Sequence, residues 1–359
     1  MKFELAVIGS GPAGLSAAIE ASKYGVKTVI IDENAKAGGQ LFKQIHKFFG
    51  SSEHWAGIRG VDIGDILLKQ AKAANIKFLL DTTVWGLFDD HRIYIASKEK
   101  TDIILADRIV VAAGAYENTV TFPGWTLPGV IGAGAAQTMM NIHRVKPGRK
   151  VLMVGSGNVG LIVSYQMLLA GIEVAAIVEF MPNIGGYFVH AAKVLRECVP
   201  VFLTSTVLGA EGNDCVEKAF IAQVDKRGKV IEGTEIELEV DAICLSVGLH
   251  PRTALLEMLG CRMQYLPELG GFIPVHDEKM ETSLKGFYIA GDLSGVEEAS
   301  TAFEEGRLAG ISVAESLGYI KTGDASKIKK SVNERLNDLR LGPFGKFRHD
   351  AKKILINSC

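Results

Sequence analysis

The sequence predicts an α/β fold with two doubly wound domains, the second inserted into the first, and a helical C-terminal tail. Two observations predict the domains: a strand, a glycine loop, a helix and a strand follow one another at the N terminus, and the same order returns near the middle. A third predicts the tail, because residues 319–359 carry a formal charge of +6 whereas the rest of the chain carries −8.

Composition narrows the class of protein. Apolar residues make up 48% of the 359 residues and the formal net charge is −2, which suits a globular protein and gives no indication of nucleic-acid binding. The five cysteines form no Cys-x-x-Cys pair, so we expect no disulfide framework and no metal site. No apolar run is long enough for a membrane span and the start lacks a signal-peptide pattern, so a cytoplasmic location is expected.

The first repeat opens the chain. Residues 5–8 form an apolar strand, residues 9–14 a glycine-rich turn, residues 15–24 a helix and residues 28–31 a buried strand. This order predicts one βαβ unit with a parallel strand pair.

The glycine-rich turn of this unit has the spacing Gly-x-Gly-x-x-Gly. Gly9 permits the sharp bend, Gly11 lets the backbone approach a pyrophosphate, and Gly14 lets the helix pack closely on the strand. Pro12 and Ala13 begin the helix, whose positive end is a site for phosphates. The motif alone is weak, and its place between a strand and a helix makes it specific.

An acidic pair follows the second strand of the unit. Asp32 stands 18 residues after Gly14, where a carboxylate accepts hydrogen bonds from a ribose diol, and Glu33 is the alternative acceptor. Together with the turn, the pair predicts a dinucleotide site of the Rossmann type.

The second repeat has strands at residues 151–154 and 173–178, joined by a turn and a helix. Its turn predicts a second dinucleotide site, formed by Gly155, Gly157, Asn158, Val159 and Gly160. Glu179 follows the second strand, and no Lys or Arg lies between Gly171 and Lys193, which favours NAD(H) over NADP(H). Two other interpretations stay open: a glycine loop that only preserves the fold, or a site for a different adenine nucleotide.

Proline and glycine mark where the chain crosses between the predicted domains. Residues 122–129 are rich in both, and a late apolar strand at 241–247 ends at Gly248, which we place at the second nucleotide site. We therefore predict a first domain from residues 1–120 and 252–318, an inserted domain from 121–251 and a basic tail from 319–359.

Residues 3–318 resemble the thioredoxin-reductase-like flavoproteins with two dinucleotide-binding domains, of the pyridine nucleotide-disulfide oxidoreductase superfamily. The resemblance rests on the order of the two loops and on a late Gly-Asp pair. It implies FAD at the first loop and NAD(H) at the second. It also implies further FAD contacts at Gly39, Gln40, Val84, Ala113, Gly114, Gly291, Asp292, Glu298 and Ala299.

A narrower resemblance links residues 122–130 and 134–137 to one branch of these flavoproteins. That branch holds the α subunits of heteromeric sarcosine oxidase, opine oxidase and dye-linked proline dehydrogenase, and the B subunit of hydrogen cyanide synthase. It implies a small-molecule substrate and a hetero-oligomer with a second flavoprotein of the dehydrogenase type. Some members of this branch also carry an iron–sulfur module rich in cysteine, so the resemblance adds an iron–sulfur protein as a further candidate partner. The tail cannot supply such a cluster alone, because its only cysteine is Cys359.

The sequence departs from thioredoxin reductase in lacking a redox dithiol. Cys198 and Cys215 stand sixteen intervening residues apart in the inserted domain, which predicts that no thiol relay operates.

No catalytic residue follows from the sequence, but His46 and Lys47 fall near the flavin ring if the resemblance holds. A cation there could tune the flavin or guide an acidic substrate, and the alternative is a solvated loop. The tail has apolar residues at helical spacing between basic ones, so it either packs on the acidic body of this chain or docks an acidic partner.

We predict an FAD-dependent oxidoreductase that passes hydride or electrons between FAD and NAD(H) or a partner, within a heteromeric amino-acid or amine dehydrogenase or oxidase. A first alternative is a stand-alone NAD(P)H-dependent reductase, such as a thioredoxin-reductase-like ferredoxin reductase. A second is a flavin-bearing protein whose main role is assembly of the other subunits.

Overall fold

The computed structural model describes residues 1–98, 100–342 and 345–357, so Cys359 lies outside the described residues. The chain divides into two units. We call Met1–Tyr116 together with His250–Cys359 the outer unit, and Glu117–Leu249 the inserted unit. These bounds lie within four residues of the domain boundaries expected from proline and glycine, and the described tail belongs to the outer unit.

Strands and helices alternate through both units. The strands are β1 (Lys2–Ile8), β2 (Thr28–Ile31), β3 (Lys77–Leu79), β4 (Thr83–Leu87), β5 (Arg92–Ser97), β6 (Lys100–Val111), β7 (Ala115–Glu117), β8 (Val130–Gly132), β9 (Lys150–Val154), β10 (Glu173–Val178), β11 (Val201–Phe202), β12 (Ser205–Glu211), β13 (Lys218–Gln223), β14 (Ile236–Glu239), β15 (Ala242–Leu245), β16 (Leu249–Pro251), β17 (Met263–Leu266), β18 (Gly271–Pro274) and β19 (Phe287–Ile289).

The α-helices either connect consecutive strands or follow the last strand. They are α1 (Pro12–Lys23), α2 (Gly60–Ala73), α3 (Ala133–Thr138), α4 (Asn158–Leu169), α5 (Phe188–Arg196), α6 (Ala254–Met258), α7 (Ala299–Ser316), α8 (Thr322–Arg340) and α9 (Lys346–Asn357). Helix α1 begins three residues earlier than the sequence predicts, since Pro12 fits the first helical position.

The main sheet of the outer unit runs in the order β3-β2-β1-β6-β5-β4, with β19 paired to β6. Strands β3, β2, β1, β6 and β19 are parallel, and β6, β5 and β4 continue as an antiparallel meander. Leu5, Ala6 and Val7 are fully buried on both faces of β1, as expected for a central parallel strand covered by helices.

Two helices of the outer unit pack at close range beside the first glycine loop. A Cβ at Gly306 of α7 would collide with the carbonyl oxygen of Ala13, and one at Gly310 with that of Ala17. Only glycine lets the backbones of α1 and α7 approach so closely. This packing holds the N-terminal end of α7 in a fixed place against α1.

The inserted unit repeats the plan with a parallel sheet in the order β11-β10-β9-β15-β8. A separate antiparallel sheet, β12-β13-β14, lies within the same unit and was not predicted from the sequence. Val151, Leu152 and Met153 of β9 are fully buried, as their counterparts in β1 are.

The tail is helical, as predicted, and packs on the outer unit. Val332 and Leu336 of α8 join the main apolar core, while Ala351 and Leu355 of α9 join a smaller cluster with the β17–β18 hairpin. Of the two interpretations of the tail, the structure supports packing on the chain's own body.

No helix among the described residues combines the length and the apolar character that crossing a membrane requires.

Candidate functional site

The first glycine loop is shaped by contacts that exclude side chains at its two ends. Gly9 has φ +98, and a Cβ there would collide with the carbonyl oxygen of Ala112, the residue after β6. A Cβ at Gly14 would collide with the carbonyl oxygen of Gly9. The fold itself therefore requires these two glycines.

Gly11 differs, because the fold does not require it. A Cβ added at Gly11 meets nothing within 4 Å, and its backbone is not in the left-handed region. It stands at the N-terminal cap of α1, where no side chain caps the helix. The helix end thus opens onto free space with its partial positive charge exposed, which is the arrangement that holds a pyrophosphate.

The predicted contacts Gly39, Ala13 and Gly291 come together around this space. A Cβ at Gly39 would lie 2.7 Å from the Cα of Gly11, and one at Gly291 would lie 2.8 Å from the Cβ of Ala13. Residues from distant parts of the chain thus line one cradle, and each is glycine or alanine. The residues present fit FAD, whose pyrophosphate needs backbone at close range.

Asp32, the predicted ribose acceptor, is buried and already has hydrogen-bond donors. Its Oδ2 accepts from the backbone N–H of Ser10 at 2.7 Å and from the Ser10 hydroxyl, and its Oδ1 accepts from Asn34. Gly38 donates its N–H to the same Ser10 hydroxyl at 3.2 Å. Ser10 therefore ties the glycine loop, the acid and the Gly38–Gly39 turn together.

Glu33, the alternative acceptor, has a side chain that is half exposed and bonded across the chain. Arg252 donates from Nη1 to Glu33 Oε1 at 2.8 Å, and its guanidinium lies 4.1 Å from the ring centroid of Tyr116. The backbone N–H of Arg252 also donates to the carbonyl oxygen of Gly114. Arg252 was missed in the sequence, because no local pattern indicates a contact between residues 219 positions apart.

The remaining predicted FAD contacts lie at the ends of neighbouring elements. Ala113 and Gly114 follow β6, and Gln40 is exposed in the short 3₁₀ helix that begins at Gly39. Val84 lies in β4, two residues after Thr82, whose N–H donates to the carbonyl oxygen of Asp32.

The late Gly-Asp pair begins a short loop that leads into α7. Burial, together with the charges of Glu305 and Glu297, raises the pKa of Asp292 to about 6. Glu298 is the N-terminal cap of α7, and Ala299 is its first residue. The loop therefore places Asp292 a few residues before the positive end of α7.

His46 and Lys47 lie in the segment before α2. Lys47 is exposed and forms an isolated β-bridge with Arg59, while the His46 ring stacks on Phe48 at 6.0 Å. These contacts fix their local structure, and a role beside the flavin ring stays a prediction.

The second glycine loop has the same construction as the first. Gly155 has φ +102, and a Cβ there would collide with the carbonyl oxygen of Ser246. A Cβ at Gly160 would collide with the carbonyl oxygen of Gly155. A Cβ at Gly157 meets nothing within 4 Å. Again the outer glycines serve the fold, and the middle one leaves space at a helix N terminus.

The acid of the second loop also bonds a serine. Glu179 Oε2 accepts from the Ser156 N–H at 2.8 Å and from its hydroxyl at 2.6 Å, and Oε1 accepts from the Met181 N–H. Gly185 donates to the Ser156 hydroxyl, as Gly38 does to Ser10. The serines were missed as site residues, although both turns read Gly-Ser-Gly in the sequence.

Three other residues predicted at the second loop stand at its margins. The Asn158 side chain accepts from the Tyr187 N–H at 2.8 Å, so it fixes the loop that follows β10. Val159 is exposed in the first turn of α4. Gly248 has φ +102 after β15, next to the side chain of Asn118.

Basic residues of the tail pair with acids of the outer unit. Salt bridges join Lys329 to Glu315, Arg335 to Glu304, Arg340 to Glu297 and Glu305, and Lys352 to Glu305. The docking interpretation of the tail is therefore wrong for these cations, because acids of the same chain already pair with them.

Within the described ranges, no group of three or more His, Cys, Asp or Glu side chains is placed to hold a metal ion. Cys198 and Cys215 are exposed free thiols, and Cys244 and Cys261 are buried ones.

The paired glycine loops and their parallel sheets define a two-domain, FAD-dependent oxidoreductase of the kind that also binds NAD(P). Residues 3–306 match the family described as pyridine nucleotide-disulphide oxidoreductase, and the chain belongs to this family. The predicted fold class and enzyme class are thereby confirmed, and so is the prediction of FAD together with a nicotinamide dinucleotide, at the level of FAD and NAD(P).

Curated relatives are subunits of larger enzymes. The chain is 27% identical to the A subunit of opine oxidase of Agrobacterium tumefaciens, covering 92% of this chain and 69% of the relative. It is 24% identical to the HcnB subunit of hydrogen cyanide synthase of Pseudomonas aeruginosa, covering 95% and 77%. It is 26% identical to the alpha subunit of sarcosine oxidase of Rhizobium meliloti, covering 88% of this chain but only 31% of that one.

Solved structures share the fold. L-proline dehydrogenase from P. horikoshii superposes with a TM-score of 0.71 at 24% identity, covering 94% of this chain and 59% of that one. Thioredoxin reductase from T. acidophilum superposes with a TM-score of 0.73 at 21% identity, covering 88% of this chain and 99% of that one. Part of this chain therefore has no counterpart in that reductase.

Proposed function

We propose that this chain holds FAD at the loop from Gly9 to Gly14 and NAD(H) at the loop from Gly155 to Gly160. The proposal rests on one observation made twice. In each loop the fold requires the outer glycines, while the middle glycine, Gly11 or Gly157, faces open space at a helix N terminus. The fold does not need a glycine at this position, but a bound pyrophosphate would, and this supports a ligand at the helix end.

FAD would supply hydride and electron transfer, and the residues of the outer unit would bind and orient it. The helix ends of α1 and α7 would stabilise negative charge on the pyrophosphate and on the reduced ring. The proposed contacts are Gly9, Gly11, Pro12, Ala13, Gly14, Asp32 or Glu33, Gly39, Gln40, Val84, Ala113, Gly114, Gly291, Asp292, Glu298 and Ala299.

NAD(H) is preferred to NADP(H) in this proposal because Glu179 stands where the adenine ribose would lie. Its carboxylate is held by Ser156 and by Met181, so it keeps its position and its charge would repel a 2′-phosphate. NADH should therefore bind at least about tenfold more tightly than NADPH.

We further propose that the chain is one component of a heteromeric, cytoplasmic amino-acid or amine dehydrogenase or oxidase. Support comes from the relatives, which carry the names of subunits of opine oxidase, hydrogen cyanide synthase and sarcosine oxidase. In this arrangement a second flavoprotein oxidises the small-molecule substrate, and an iron–sulfur protein is a further partner.

A stand-alone NAD(P)H-dependent reductase is the second candidate. The observation that favours it is that this chain covers 99% of the length of the thioredoxin reductase from T. acidophilum. The exposed and widely spaced Cys198 and Cys215 argue against a dithiol substrate relay in either case.

Two measurements test the proposal. Anaerobic titration of the purified flavoprotein with NADH and with NADPH follows bleaching of the flavin absorbance; reduction by NADH at the lower concentration supports it, and equal or tighter binding of NADPH contradicts the NAD preference. Purification from the native source, with identification of the proteins that remain bound, separates the two candidates. A chain that elutes alone and reduces a soluble acceptor favours the stand-alone reductase.

A further inference from the structure

Two cations of the C-terminal tail are buried behind the loop that leads into α7. Lys352 of α9 has 3% of its side chain exposed, and Arg340 of α8 has 10%. Burying a cation is costly unless its partners compensate, so the partners of these two side chains indicate what they do.

Lys352 bonds the turn that contains Asp292. Its Nζ donates to the carbonyl oxygen and to the hydroxyl of Ser294, each at 2.6 Å, and to Glu305 Oε1 at 2.8 Å. The Ser294 hydroxyl lies 3.0 Å from the carbonyl oxygen of Gly291. Lys352 therefore bonds the last residue of the turn Gly291–Ser294 and connects this turn to the tail.

Glu305 of α7 connects the same turn to both cations. Its Oε2 accepts from the Gly291 N–H at 2.9 Å and lies 2.7 Å from the Ser294 hydroxyl, while its Oε1 accepts from Lys352 and from Arg340. Burial alone would raise the pKa of Glu305, but the charges of Lys352 and Arg340 bring it down to about 2. Glu305 is therefore ionised and depends on the tail for its charge balance.

Arg340 fixes the other end of the loop. Its Nε and Nη2 form a bidentate pair with Glu297, and its Nη2 also reaches Glu305 at 2.6 Å. Asp292 lies inside the turn Gly291–Ser294 that Lys352 bonds, a few residues before Glu297, which Arg340 bonds. Planar, bidentate pairing of this kind fixes geometry as well as charge.

Anchoring the tail does not need these ion pairs, because apolar contacts already do it. Val332 and Leu336 bury α8 in the core, and Ala351 and Leu355 bury α9 against the β17–β18 hairpin. Lys352 and Arg340 both bond the loop from Gly291 to Glu298. This loop contains three of the proposed FAD contacts and leads directly into a fourth, Ala299.

We propose that Lys352 and Arg340 are positioning residues of the flavin site, so that the C-terminal tail is a structural part of that site. They hold the turn in the conformation in which Gly291 lies against Ala13 and Asp292 is presented to the cofactor. This inference rests on the proposed function, and it gives these two cations a role within this chain.

The test compares Lys352→Met with Lys353→Met in the full chain. Lys353 is the exposed neighbour on the same helix and serves as the matched control. FAD affinity is measured by quenching of flavin fluorescence on the flavin-free proteins, and the flavin midpoint potential by anaerobic dye equilibration. Lys352→Met should weaken FAD binding about tenfold or more and lower the potential, because Glu305 would lose part of its charge compensation in α7, whose positive end would stabilise the reduced ring. Lys353→Met should leave both unchanged.

Two further variants test the same inference if Lys352→Met does not fold. Ser294→Ala keeps every charge and removes only the hydroxyl that Lys352 holds, and Arg340→Lys keeps the charge but loses the bidentate pair. Each should weaken FAD binding by about threefold to tenfold in a flavin-free protein that still unfolds cooperatively in urea. Folded variants that bind FAD with wild-type affinity and potential would overturn the inference. A wild-type protein that binds no FAD would instead overturn the proposed function.

Discussion

The two glycine loops share one local geometry and differ in what surrounds them. In both, a serine between the first two glycines bonds the acid that follows the second strand, Asp32 in the outer unit and Glu179 in the inserted unit. Both middle glycines face free space. Local sequence is therefore sufficient for the turn, the helix end and the serine–acid bond.

Their surroundings are similar in tightness and differ in charge. A Cβ at Gly39 would lie 2.7 Å from the Cα of Gly11, and a Cβ at Gly186 would lie 3.0 Å from the carbonyl carbon of Gly157, so a glycine turn approaches each loop closely. The first loop also packs against α7, whose acids form ion pairs with the tail. The difference teaches that the first site depends on charged contacts from a distant segment of the chain.

The largest expected effect is on the first loop. Gly11→Val should leave the fold intact, since the fold does not use this position, but its side chain would fill the pyrophosphate path. We expect FAD affinity to fall by about 1,000-fold, equivalent to ~4 kcal/mol. Flavin content after purification and circular dichroism of the same sample check this. A folded Gly11→Val protein with a full complement of FAD would refute the assignment of the site.

The matching change in the second loop should have a smaller effect. Gly157→Val should retain FAD and weaken NADH binding by about 100-fold, because the added side chain would fill the space at the helix N terminus where the pyrophosphate would lie. Anaerobic stopped-flow reduction by NADH measures it, with the wild-type protein as the reference. Loss of FAD from Gly157→Val would show that the two loops do not have separate ligands.

Asp292 provides a test of the charged surroundings of the first loop. Because its pKa is raised from the usual 3.8 to about 6, it contributes stability that is fully present below pH 3.8 and lost as the pH rises through 6. In the flavin-free protein, Asp292→Asn should remove this loss, on the order of 3 kcal/mol between pH 4 and pH 7.

Urea unfolding of wild type and Asp292→Asn across that pH range gives the difference. Because wild type and variant share the other titratable groups, their difference removes the contribution of groups such as His276 to the pH dependence. Burial lowers the pKa of His276 to about 4. Asp89→Asn, at an exposed position, is the control and should not change the pH dependence. Parallel curves for wild type and Asp292→Asn would contradict the raised pKa.

The smallest expected effect concerns the thiols of the inserted unit. Replacing Cys198 and Cys215 together with serine should leave flavin reduction by NADH unchanged and stability within about 0.5 kcal/mol, because both are exposed free thiols. Stopped-flow reduction and thermal unfolding measure the two quantities. Loss of reduction with FAD still bound would restore a thiol relay as an explanation.

The sequence predicted both βαβ units closely. Strands β2 and β10 have the predicted bounds. The reason is that glycine spacing and runs of buried apolar residues report local backbone requirements directly. The antiparallel β12–β14 sheet was missed, since short strands with mixed exposure resemble loops in their composition.

The candidate site was predictable where it depended on local pattern and not where it depended on distant partners. The sequence by itself determined the two glycine loops, the acids after their strands and the helical character of the tail, because each is encoded within a few turns of chain. Only the tertiary structure decided that Arg252 pairs with Glu33 and that Lys352 and Arg340 turn inward to the loop after Gly291. Those contacts join residues far apart in the chain, and which acid meets which cation depends on how helices and sheet pack, which charge and periodicity alone do not specify.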